Sequence, residues 1–76
     1  MKKFKTLEDE LPEDDKLVFV LWYDFHTKKM IHNVDEAVHF NWSKDHDHPV
    51  MFWSYETHIT EDEIRSLSLS ADLLIL

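Results

Sequence analysis

Residues 17–23 read Leu-Val-Phe-Val-Leu-Trp-Tyr, an unbroken apolar row. Successive side chains of a strand point to opposite faces, so a run this rich in Val, Phe, Trp and Tyr needs cover on both sides. The segment 16–24 is therefore expected to be a central strand, and the rest of the chain must supply two covers for it. Seventy-six residues leave little material for that. A domain of this size buries only roughly 60–65% of the surface its unfolded chain exposes. With no cysteine, neither a disulfide nor a thiolate-held zinc can help. The chain has instead five Phe, three Trp and two Tyr. Each buries about 150–250 Å² from a single side chain.

Three further stretches have strand character. They are 29–33, 37–42 and 50–58, with Phe25-His26-Thr27-Lys28 as a hairpin connection between the first two strands. The segment from Val34 to Trp42 is open to two spacings. Val34, Ala37, Val38 and Asn41 fit a helix face, whereas Val38, Phe40 and Trp42 alternate with Ala37, His39 and Asn41. Val, Phe and Trp favour pleated surfaces, so a strand over 37–42 is preferred. In 50–58, alternation sets Val50, Phe52, Ser54 and Glu56 on one face. Met51, Trp53, Tyr55 and Thr57 take the other, whose Met-Trp-Tyr part is expected to be buried. Towards the N-terminus, Thr6 can cap a short helical turn bearing Leu7, which Leu11-Pro12 ends. Thr60 and Glu63 have capping-box spacing, opening a helix over 61–75 with Ile64, Leu67, Ala71 and Leu74 on one side. The expected architecture is a single α+β domain over 1–76. It is an antiparallel β-meander of three to four strands with a C-terminal helix on one face.

The sequence contains no glycine. Phosphate-cradling loops, dinucleotide fingerprints and nucleophile elbows use glycine for close backbone approach or positive φ, so none can be built here. A chain this short also leaves little room for a cleft that expels water, and no catalytic residues are assigned. Met1-Lys2-Lys3 is basic, but Glu8, Asp9 and Glu10 follow before any apolar stretch of signal-peptide type. A cytoplasmic protein is expected.

Asp45-His46-Asp47-His48 raises the question of a metal. In an extended chain the imidazoles of His46 and His48 would point the same way, and His39 or His58 could join them in a histidine–carboxylate zinc set. The plainer reading is a solvated loop whose Asp and His precede Pro49. That reading is preferred, and no cofactor is expected. A histidine-ligated metal site at His46 and His48 stands as the alternative.

Sixteen acidic residues against eight basic ones give a formal charge of −8. That disfavours direct contact with nucleic acid or anionic lipid. It favours a protein partner with a basic surface. Acidic groups at 35–36 and 61–63 are explained by turn chemistry and helix capping. Glu13, Asp14 and Asp15, with Asp45 and Asp47, are the candidate partner-binding charges, and Trp42 is the candidate aromatic anchor. The apolar end, with Leu73, Leu74 and Leu76, is a candidate homodimer seam. A structural subunit assembling through the C-terminal helix is a second alternative.

Phe4, Leu11-Pro12-Glu13, Val18-Phe19-Val20, Trp42 and Phe52-Trp53 together resemble an uncharacterised family of small phage and prophage domains over residues 4–60. Members have an N-terminal aromatic, a Leu-Pro-Glu turn, a valine-rich strand and a late tryptophan-bearing strand. The resemblance implies a small meander sheet and no catalytic residues. The acidity, shortness and lysine-over-arginine bias are also similar to those of phage accessory proteins that inhibit host machinery. The expected function is thus a non-enzymatic inhibitor or modulator of a host protein that handles nucleic acid.

Overall fold

The structure, a computed structural model, describes residues 3–43 and 48–75, without the side chains of 72–75. It contains strands β1 (Leu17–Asp24), β2 (Lys29–Glu36) and β3 (Val50–Ser54), and one helix, α1 (Glu61–Ile75). The sheet is antiparallel with order β2-β1-β3. This is the expected α+β class with the expected central strand. The order is not that of a sequential meander, however, because β3 pairs with β1 on the side away from β2.

The apolar run behaves as its composition requires. Val18, Phe19, Val20 and Leu21 are all buried, at 0–2% exposure. On one face Val18 and Val20 cluster with Ala37, Val50 and Trp53, and Leu7, Trp22, Phe40 and Trp42 pack around them. On the other, Phe19 meets Phe4 edge-on with ring centroids 6.2 Å apart. Phe4 shares a groove with Leu67, Ser66 and Ser70 of α1, and the helix contacts β1. A strand with two apolar faces has thus acquired two covers, α1 with Phe4 on one side and chain segments without regular structure on the other.

The N-terminal segment is held to the sheet by its backbone. Lys5 and Trp53 exchange N–H···O bonds of 2.8 Å, which extends the β3 edge by one bridge. The buried indole of Trp53 donates to the Glu10 carbonyl at 3.1 Å. The Thr6 turn is present as a single turn, with Asp9 N–H donating to Thr6 O and the Asp9 carboxylate accepting from Thr6 N–H.

The stretch 37–42 differs from expectation. β2 runs three residues further than 29–33, and Ala37–His39 then form a 3-10 turn instead of a fourth strand. Backbone bonds explain this. Ala37 N–H donates to Lys16 O and Val38 N–H to Asp14 O, so the turn is tied to the entry of β1. The Trp42 indole donates back to Ala37 O at 2.7 Å, folding 40–42 over the core where it cannot join a ladder.

β3 also ends earlier than 58. The Ser54 hydroxyl accepts from Glu56 N–H at 3.0 Å, a local bond that competes with the ladder. The register with β1 shifts between Leu21 and Trp22, leaving Met51 as the extra residue. This bulge brings Val50 and Trp53 into one cluster, although strict alternation sets them on opposite faces.

Helix α1 begins as the spacing predicted. Glu63 N–H donates to the Thr60 hydroxyl at 3.2 Å, and Thr60 N–H to the Glu63 carboxylate at 3.3 Å. Lys3 adds ion pairs to Glu63 at 2.6 Å and Glu56 at 3.2 Å, linking the chain start to the helix start. Ala71 is buried and Ile64 and Leu67 half-buried, as the helical face requires.

The β1–β2 connection shows what the lack of glycine costs. Lys28 adopts φ 58°, the only positive φ recorded for the described residues. For an L-residue with a Cβ this conformation is unfavourable by roughly 1–2 kcal/mol. Lys28→Gly is expected to raise the unfolding free energy by about 0.5–1 kcal/mol in a urea titration, after the greater freedom of glycine in the unfolded chain is subtracted. Lys28→Val is expected to lower it.

Candidate functional site

The entry to β1 holds the acidic triplet Glu13-Asp14-Asp15, and the surrounding contacts set apolar side chains around it. Glu13 N–H donates to the Tyr55 hydroxyl at 3.0 Å. Asp14 O accepts from Val38 N–H at 3.2 Å. Leu11 and Leu17 flank the triplet in the chain, and Glu13, Lys16, Leu17 and Tyr55 line one shallow cleft. Leu11, Leu17 and Val38 are each 56–57% exposed and Tyr55 is 43% exposed. Leu17 and Tyr55 are thus the apolar part of a cleft that Glu13 and Lys16 also line, while Leu11 and Val38 are exposed on the neighbouring segments.

Electrostatics sharpen the contrast with the rest of the surface. Among the described residues the cations Lys3 and Lys5 are engaged within the chain, Lys3 with Glu56 and Glu63, Lys5 with Glu10. Lys5 also lies over the rings of Trp53 and Tyr55, 5.3 and 5.7 Å from their centroids. No ion pair among the described residues involves Glu13, Asp14 or Asp15. These three carboxylates are exposed and remain open to an external cation.

Trp42 takes another place. It is half-buried, donates its indole N–H inward to Ala37 O, and meets Trp53 edge-on at 6.2 Å. The aromatic that the acid-rimmed surface displays is Tyr55. Alternation had set Tyr55 on a buried face; the Ser54–Glu56 turn ends the strand just there and releases it. Leu11 and Leu17 carried a legible signal, two leucines bracketing an acidic turn. Tyr55 and Val38 carried none, because bonds between distant segments bring them in, through the Tyr55 hydroxyl and the Val38 backbone N–H. Asp45 and Asp47 lie outside the described residues.

Of the histidine pair, His46 also lies outside the described residues. His48 Nδ1 is 3.4 Å from an oxygen of Asp24, and its ring packs against Trp22 and His26 at centroid distances of 5.4 and 5.8 Å. Partial burial works to raise the Asp24 carboxyl. Hydrogen bonds from His26 and Thr27, with the pull of His48, outweigh it and hold the group below its ordinary value. Among the described residues no group of three or more His, Asp or Glu converges as metal ligands do. The Asp24–His48 contact closes the return to β3, next to the bond from Tyr23 N–H to Pro49 O. Leu73 and Leu74 fall in the last turns of α1; their side chains, and Leu76 as a whole, lie outside the described residues. No helix among the described residues is long and apolar enough to cross a membrane.

The 3-10 turn beneath Val38 has its own titratable clasp. His39 Nδ1 is 2.9 Å from the Asp35 carboxylate. That hydrogen bond, then the carboxylate charge, raises the imidazole above its ordinary value. The same bond, with one from Glu36 N–H, lowers Asp35. A raised imidazole adds stability at low pH that is lost as pH rises through its folded value. A lowered carboxyl adds stability at higher pH that is lost as pH falls through its folded value. The clasp is therefore fully present between the ordinary values, 3.8 and 6.5, and weakens outside that window.

The chain matches no family model, no curated protein and no solved structure. An NMR titration is expected to place the His39 midpoint above 6.5 in the wild type and to lower it in Asp35→Asn.

Proposed function

We propose that the protein is a non-enzymatic binding protein, acting in the cytoplasm, that docks on the basic surface of a nucleic-acid-handling protein and inhibits or modulates it. The observation that carries this reading is the exposed cleft of Leu17 and Tyr55 at the entry to β1, beside Glu13, Asp14 and Asp15, which make no ion pair among the described residues. Aromatic and aliphatic anchors within a polar rim are the usual composition of an energetic centre at protein interfaces. Carboxylates at the rim steer a basic partner into place and set the salt dependence of association more than the final affinity. The overall charge of −8 acts in the same direction. The resemblance of residues 4–60 to small phage domains supports a host protein as the partner.

Division of labour within the patch follows from burial. Glu13, Asp14 and Asp15 supply attraction at a distance, while Tyr55 and Leu17 supply area that loses water on contact. Trp42 supports the patch from beneath through Trp53.

The test uses the full chain as bait in a lysate of the native host, with captured proteins quantified by mass spectrometry. The wild type is expected to capture a basic nucleic-acid-handling protein, and added salt to weaken capture. Asp14→Lys with Asp15→Lys is expected to slow association with that protein by about tenfold or more while leaving the fold intact. Leu17→Ser is expected to speed dissociation instead. Equal capture by wild type and charge-reversed bait, indifferent to salt, would exclude the reading.

A further inference from the structure

β2 is an outer strand, and its pairing with β1 decides which of its backbone groups face outward. Tyr23 N–H donates to Pro49 O, so the odd-numbered N–H groups of β1 point towards β3. The even-numbered ones point towards β2. By the register, residues 29, 31, 33 and 35 of β2 then bond to β1, and residues 30, 32, 34 and 36 direct their N–H and C=O groups outward. Two of these groups have local substitutes for a strand partner. Val34 N–H donates to the Asn33 side chain at 2.8 Å and Glu36 N–H to the Asp35 side chain at 2.7 Å. No such bond is recorded for Met30 or His32. Val34 is 42% exposed, a β-branched residue on an open edge.

The side chains along this edge have a self-complementary order. Residues 28–36 read Lys-Lys-Met-Ile-His-Asn-Val-Asp-Glu, with both cations at one end and both anions at the other. In a chain of charge −8, these nine residues carry equal numbers of each sign. We propose that β2 pairs antiparallel with β2 of a second copy of this chain, centred on His32, forming a continuous six-stranded sheet. In that register Lys29 faces Asp35, Met30 faces Val34, and His32 meets its own counterpart on the two-fold axis, while Lys28, in the turn just before β2, comes level with Glu36. The pairs repeat on either side of the axis, as an isologous interface requires. The outward groups of residues 30, 32 and 34 then satisfy one another across the seam, and Asn33 gives up its local bond to Val34.

The alignment is specific. Only shifts of the axis by a whole residue keep outward-facing groups opposite one another. Moving it to Ile31 sets Lys29 against Asn33, and moving it to Asn33 sets Met30 against Glu36. Either shift loses all the charge pairs. Opposite charges directly across an antiparallel pair stabilise it and like charges oppose it. A second copy is therefore the occupant that this edge favours over an unrelated extended peptide. The two α1 helices would lie on the same face of the joined sheet, because a two-fold axis normal to the sheet preserves its faces.

Sedimentation equilibrium of the full chain at low salt tests the proposal. The wild type is expected to shift with concentration from the 9.2 kDa monomer to a dimer of twice that mass. Val34→Pro removes an outward N–H without touching the β1 ladder and is expected to leave a monomer with unchanged far-ultraviolet circular dichroism. Lys28→Glu with Lys29→Glu is expected to weaken the dimer by about tenfold or more. Adding Asp35→Lys and Glu36→Lys to that variant is expected to restore it, because the complementarity is then inverted and not lost. A wild type that stays monomeric up to millimolar concentration would overturn the proposal. So would a dimer indifferent to both Val34→Pro and the charge reversal, which would move the seam elsewhere, for instance to Leu73 and Leu74.

Discussion

The burial of β1 on both faces is the constraint from which the other features follow. Four consecutive side chains, Val18 to Leu21, are removed from water. Each contributes about 1.5–3 kcal/mol of transfer free energy, but only where atoms from elsewhere displace the water. In so short a chain one regular element cannot cover both faces, and α1 covers one. The other is closed by residues 5–16, the 3-10 turn and the 40–42 segment. These pieces have no ladder of their own. They are held by single bonds from the core outward, such as Trp53 indole to Glu10 O, Trp42 indole to Ala37 O and Ala37 N–H to Lys16 O. Tryptophan suits this work because its ring fills volume and its N–H fixes a passing backbone carbonyl.

The character of the surface follows from that construction. Cover made from irregular chain leaves apolar side chains at its margins: Leu17 and Tyr55 share a cleft where the segment enters β1, and Leu11 and Val38 stay exposed on the adjoining segments. Among the described residues, Lys3 and Lys5 near the chain start are bound into the fold. The excess of negative charge therefore falls on groups such as the Glu13–Asp15 triplet. An acid-rimmed apolar patch is a by-product of how the core is closed, and it is the feature on which the proposed partner binding rests.

The open edge of β2 has a similar origin. With the order β2-β1-β3, the N-terminal segment lies along β3 and leaves β2 uncovered. Asn33 and Asp35 answer some of the outward backbone groups locally, a device that lowers the cost of an edge without closing it. A strand with mixed charge and short polar side chains can stand in water as a monomer and still recognise a matching strand. The acid-rimmed patch and this edge use different residues, so either can act without the other.

Several features were determined by the amino-acid order alone. The apolar run at 17–23 dictated a doubly covered central strand, because a period of two leaves no alternative for seven consecutive apolar residues. Thr60 and Glu63 dictated where α1 begins, because capping is local and its partners lie three residues apart. The absence of glycine and cysteine excluded whole classes of site. Other features were decided only in three dimensions. The segment 37–42 had spacing for both helix and strand, and bonds from Lys16 and Asp14, some twenty residues away in the chain, chose a 3-10 turn. A bulge at Met51 reversed the face expected for Val50, and a serine hydroxyl released Tyr55 to the surface while Trp42 turned inward. Local bonds are written in neighbouring residues. The positions of Tyr55, Val38 and Trp42 depend on partners distant in sequence, and only packing against the shared core brings those partners together.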